Sequence, residues 1–217
     1  VFKPISPSAS TGTTQTTNFP VDMQWLRTRD SADAFYVIDR LRGISTTPTT
    51  ASSRTIYTTS NSAEGGTNTS NGWNNTGFNI PSQQTGASTI YESFRRAPSF
   101  FDEVCFTVSG SVPVNHNLGV APELIIYKTR GSADNWWTFA NVNGAGALDD
   151  AGAWFSTGSG NGLTNIAQVT STTFKNLNGI FLSSGNTVVT YLPIDLHFSH
   201  CEHLQSHARF KVEVRSW

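Results

Sequence analysis

The feature that most restricts how this chain can fold is a repeat inside it. Thr28-Arg29-Asp30-Ser31-Ala32-Asp33 returns 101 positions later as Thr129-Arg130-Gly131-Ser132-Ala133-Asp134. The likeness extends to both sides. Met23-Gln24-Trp25-Leu26 matches Leu124-Ile125-Ile126-Tyr127 in character, and Phe35-Tyr36 matches Trp136-Trp137 at the same spacing. Further on, Gly77-Phe78-Asn79-Ile80 answers Thr173-Phe174-Lys175-Asn176, and Ile90-Tyr91-Glu92-Ser93-Phe94 answers Val188-Val189-Thr190-Tyr191-Leu192. The spacing drifts in the loops, where insertions are tolerated. Self-similarity at a fixed period outranks other signals of architecture. Two copies of one unit are therefore expected, over residues 19–97 and 98–192. Residues 1–18 then read as an N-terminal arm or linker and 193–217 as a C-terminal tail.

The composition says what the unit is made of. Only 13% of residues are charged, about half the usual share, and Ser, Thr, Asn and Gly fill the difference. Short hydroxyl and amide side chains compete for backbone hydrogen bonds and disfavour helix interiors. The plentiful Val, Ile, Thr, Phe, Tyr and Trp suit a pleated, half-buried surface. The expected fold is all-β: two tandem, related antiparallel β-sandwich units with long polar loops. Strands are expected over Met23–Arg27 and Ala34–Ile38, with a turn between them, and Glu123–Lys128 should be central in its sheet with Trp136–Phe139 as its hairpin partner. Residues 43–76 hold only Ile56, Tyr57 and Trp73 as large apolar groups and read as one long loop, of the kind that is functional or ordered by another chain.

A net charge of −1 removes the electrostatic case for nucleic acid, which needs a clustered basic face. No apolar run approaches the roughly 20 residues of a membrane helix, so no membrane insertion is expected. No signal peptide is visible and the chain starts at Val1 rather than Met, which suggests a processed product or a piece of a longer chain. Cys105, between Val104 and Phe106, reads as a buried free thiol; Cys201 lies far along the chain.

A strand ending in Val108-Ser109-Gly110, then VNHNLGVAPELIIYKTRGSADNWWTFAN, then a Phe-bearing strand and an alternating Thr/Val/Tyr strand, resembles a β domain repeated in virion proteins of bacteriophages and marine viruses. Members of that family are mostly tail fibre-like or tail-associated structural proteins. The likeness is close over Phe101–Asn143 and looser over Thr170–Leu192. Asn18–Phe94 resembles the same domain more weakly, with Phe19-Pro20-Val21-Asp22 near the family's lead-in turn. Pro193 onward departs from the family pattern.

Candidate chemistry is sparse. His197, His200, Cys201, His203 and His207 are the one cluster of metal-ligand type, but their spacing fits no zinc pattern, and a polar tail or subunit contact is the expected role. Trp136 and Trp137, with Trp73 and Trp154, are candidates for a subunit interface or a sugar-stacking platform. Adjacent tryptophans on a strand point to opposite faces, so at most one of Trp136 and Trp137 is expected in the core. Asp149-Asp150, Asp102-Glu103 and Asp33 do not read as the paired carboxyls of a glycosidase. No Gly-x-Ser-x-Gly elbow is present. No catalytic residue, cofactor or metal is expected. The resemblance implies a virion protein, made in the host cytoplasm, whose partners are copies of itself, other virion proteins and a host surface glycan. A tail fibre or appendage subunit is the first reading, a capsid decoration protein the second, and a glycan-binding or depolymerase module the third.

Overall fold

The computed structural model describes residues 1–6, 13–29, 36–43, 52–58, 60–69, 72–80, 89–109, 112–134, 136–140, 147–148, 150–152, 167–176 and 187–193. Among these the regular structure is strand throughout, paired antiparallel. The fold is all-β.

The first half contributes β1 (Phe2–Ile5), β2 (Thr14–Thr16), β3 (Met23–Thr28), β4 (Tyr36–Asp39), β5 (Ser52–Tyr57), β6 (Gly65–Thr69), β7 (Gly77–Asn79) and β8 (Thr89–Phe94). The second contributes β9 (Phe101–Thr107), β10 (Val114–Asn115), β11 (Leu124–Thr129), β12 (Trp136–Ala140), β13 (Ala147–Leu148), β14 (Asp150–Gly152), β15 (Ala167–Val169), β16 (Thr173–Asn176) and β17 (Thr187–Pro193). One large sheet runs β1-β8-β3-β4-β5-β6 and the other β9-β17-β11-β12-β14; the small sheets are β2-β7 and β10-β16-β15-β13. The first five strands of each large sheet thus follow the same path. β3 and β11 each lie between the last long strand of their half and a hairpin partner, and β2 and β10 each pair with a Phe-bearing strand. The ladder sets Tyr36 opposite Leu26 and Trp137 opposite Tyr127, which is the spacing read in the sequence. It departs by one residue elsewhere. Ile90 sits opposite Arg27 and Val189 opposite Lys128, so Ile90 corresponds to Val189 rather than Val188. The spacing between the repeated segments is therefore one residue longer there than residue type alone suggests.

Strand alternation builds two interiors on the first sheet. Met23, Val37 and Ile56 face the second sheet and pack with Phe101, Leu124, Ile126 and Trp136, all buried. Leu26, Ile38 and Tyr91, on the other face, pack with Phe19, Val21, Trp73, Phe78 and Ile80. The Phe78 ring meets Tyr91 at 5.0 Å. In the second half, Phe174 of β16 meets Phe106 of β9 at 5.7 Å, so the small sheet there also covers the large one. β11, expected to be central, is the middle of its five strands and buried along its whole length.

Two expectations change. The segment read as an arm supplies β1, laddered to β8, and β2, laddered to β7. Lys3 Nζ donates to the Thr16 carbonyl at 2.7 Å, tying the two together. Pro4 is accommodated because β1 is an edge strand, where a missing N–H is no loss. Close pairing of β2 with β7 also requires Gly77, where a Cβ would fall on the Gln15 carbonyl oxygen. The stretch 43–76, read as one loop, contains β5 and β6. Its anchors are Ile56, fully buried at the junction, and Tyr57, whose ring meets Tyr36 at 5.2 Å on the opposite face. One apolar residue per face suffices when Thr and Ser fill the rest of a strand.

Candidate functional site

The most concentrated chemistry lies where the two large sheets meet. On β4 the alternation that buries Val37 also buries Asp39; on β9 the alternation that buries Phe101 carries Glu103 and Cys105 to the same side. Asp39 accepts from the Arg42 side chain and from the Arg42 backbone N–H at 2.8 Å, and Arg42 Nη2 donates to the Val37 carbonyl at 3.0 Å. Arg42 also faces Glu64 at 3.7 Å. Glu64 in turn takes a forked hydrogen bond from Arg130, at 2.6 and 3.1 Å, which favours the charged guanidinium. Arg54 lies 3.6 Å from Glu64 but is mostly exposed and adds little. Bidentate Arg–carboxylate geometry is among the stronger charge-assisted contacts. Here it joins the loop after β5 to the turn after β11. Two main-chain bonds close the same seam, Glu64 N–H to the Arg130 carbonyl and Asp134 N–H to the Asn61 carbonyl, both at 2.8 Å.

Glu103 faces Asp39, and the nearby cation, Arg42, is already paired with Asp39. Burial, then repulsion from Asp39, pushes its carboxyl well above the usual range. Burial therefore favours the protonated carboxyl, which relieves the repulsion from Asp39. Burial also raises the Cys105 thiol to about 11, so it is neither a nucleophile nor a ready ligand. Lys128, fully buried, donates to the Thr129 carbonyl at 3.0 Å, and burial lowers it to about 8.

Asp39 and Glu103 form a close carboxyl pair, and they are 0% and 2% exposed. No sugar can reach them. The arrangement is a lock between sheets. Unfolded, Glu103 releases its proton in the ordinary carboxylate range; folded, it keeps it to higher pH. The folded state therefore binds the extra proton over that window, and stability falls as pH rises through it. Glu103→Gln, neutral at every pH, is expected to be more stable than wild type at about pH 8 and to converge with it at about pH 4. Urea midpoints across that range test this; parallel pH profiles would contradict it.

Asp102, the neighbour of Glu103, points the other way and accepts from the Asn117 N–H at 2.7 Å. The two carboxyls read together in the sequence therefore serve separate faces. Trp73, Trp136 and Trp137 are all buried. Trp136 fills the junction and donates to the Tyr57 carbonyl at 2.8 Å; Trp73 lies in the other interior with Arg40 over its ring at 5.6 Å. Trp136 and Trp137 do take opposite faces, yet neither is outside. The expectation that at most one is in the core fails because β12 is buried on both of its faces at these two positions. None of the three presents a stacking face to a ligand. Trp154, Asp33, Asp149, Cys201 and His197, His200, His203 and His207 lie outside the described residues. Among the described residues no group of three or more His, Cys, Asp and Glu side chains could hold a metal ion, and no helix is long and apolar enough to cross a membrane.

Sequence reasoning missed the lock. Its one local signal was the alternation Phe101, Glu103, Cys105, which puts an acid on a core face. Comparison with protein-family models, curated proteins and solved structures finds no match for this chain.

Proposed function

We propose that this chain is a non-catalytic structural module of a bacteriophage virion, a tail fibre or surface-appendage subunit that assembles with copies of itself and serves host attachment. In this reading it is two related antiparallel β-sandwich units in tandem, each a large sheet backed by a small one. The observation that carries the reading is the shared strand path, β1-β8-β3-β4-β5 against β9-β17-β11-β12-β14. It agrees with the repeat in the sequence and with the resemblance to repeated virion β domains. The fate of the chemically capable residues supports it as well. Carboxyls, guanidiniums and tryptophans are built into the interior, where they fix the relative position of two sheets. A rigid body with polar loops is what an extended appendage needs, and repetition of weak contacts supplies avidity.

Light scattering coupled to size exclusion tests the assembly claim. A stable symmetric oligomer or filament is the expected result. A monomer at all accessible concentrations would contradict it and shift the reading to an isolated binding domain, to be probed on glycan arrays.

A further inference from the structure

The two halves close the same turn with different chemistry. In the first half, the Phe19 N–H donates to Thr17 Oγ1 at 3.4 Å, and the Thr17 N–H donates to the Thr76 carbonyl at 2.8 Å. In the second, the Leu118 N–H points at His116 Nδ1 at 3.3 Å, and the His116 N–H donates to the Thr172 carbonyl at 2.8 Å. Thr17 and His116 are both buried, and each lies one residue beyond the strand that pairs with a Phe-bearing strand.

The histidine bonds fix its state. A backbone N–H can only donate, so Nδ1 must be the unprotonated acceptor. Nε2 then carries the hydrogen and donates to the Thr170 carbonyl at 3.1 Å. The neutral ring thereby bridges the 116–118 turn and the 170–173 turn, stacked on Phe174 at 6.4 Å. Adding a proton to Nδ1 sets N–H against N–H and breaks the Leu118 bond. Threonine at the matching place has no such transition.

We propose that His116 is a proton-operated latch, holding the 116–118 turn of the second half closed when neutral and releasing it on acidification, while the Thr17 turn of the first half stays closed. The charged group facing the ring from β9 is Asp102, held on the Asn117 N–H, which favours protonation; the 170–173 turn offers the uncharged Thr170 and Thr173 carbonyls, and β16 the Phe174 ring. Burial outweighs these and lowers the ring below the ordinary histidine value. The sign follows. The unfolded or opened ring binds a proton first, so the latch is at full strength above the ordinary histidine range and is lost as pH falls through the lowered folded value.

The test is amide hydrogen exchange at Leu118 with Phe19 as internal reference, corrected for intrinsic rates, at about pH 7.5 and about pH 5. Leu118 protection is expected to fall severalfold, to a ceiling of about thirtyfold set by the distance of pH 5 from the ordinary histidine value, with Phe19 unchanged. His116→Thr, which installs the first half's residue and keeps all four histidines of 197–207, is expected to abolish the acid loss. Equal retention at Leu118 and Phe19, or the same acid loss in the variant, overturns the proposal. Should the variant not fold, NMR titration of the His116 ring in wild type decides: a midpoint below free histidine is expected, and one at or above it overturns the latch.

Discussion

Replacing Glu64 with glutamine is expected to destabilise the chain by about 3–5 kcal/mol, read as a fall in the urea midpoint. Glu64 is 6% exposed at its side chain and Arg42 not at all. Taking away the carboxylate removes one of the two carboxylates facing Arg42 and leaves Arg130 without its forked acceptor. The penalty comes from leaving the fully buried Arg42 and the partly buried Arg130 with less compensating charge rather than from the worth of the ion pair itself. For that reason Arg130→Met added to Glu64→Leu is expected to recover part of the loss, because an apolar pair of similar volume strands one cation fewer. Simple additivity of the two single losses would show that Glu64 and Arg130 are not coupled, and a loss under about 1 kcal/mol would place Glu64 among surface pairs.

Trp136→Ala is expected to cost a similar 3–5 kcal/mol. The indole is wholly buried among residues from both large sheets and bonds the Tyr57 carbonyl across the junction. Its removal leaves a cavity between sheets that cannot collapse without moving one of them. Trp136→Phe keeps most of the packing and loses the hydrogen bond, so an intermediate loss of about 1–3 kcal/mol is expected. Differential scanning calorimetry reads both, and a wild-type melting temperature in the alanine variant would show that the junction does not hold the chain together.

What could be read from the sequence, and what could not, follows from how local each signal is. The run Leu124–Tyr127 announced a central strand because both its faces are covered, and Tyr36 and Trp137 fell at matching ladder positions as read. β1 and β2 were hidden because Pro4 and a Ser/Thr-rich context resemble a linker, and only pairing with β8 and β7, far along the chain, makes them strands. β5 and β6 were hidden for the same reason, with Ile56 alone marking the core side. The sequence places at most one of Trp136 and Trp137 in the core on the premise that a strand buries one face. That premise fails for a strand buried on both faces at these two positions. The lock was the least legible feature. Asp39, Glu64, Glu103 and Arg130 come from four separate places in the chain, and nothing in their spacing draws them together.

That the two large sheets fold as one body through their shared interior is tested most directly by equilibrium denaturation followed with tryptophan fluorescence and far-ultraviolet circular dichroism in parallel. One transition, coincident by both probes, is the predicted result, since Met23, Val37 and Ile56 cannot lose their partners Phe101, Leu124, Ile126 and Trp136 without exposing both sheets. Two separated transitions, one for each half, would contradict it.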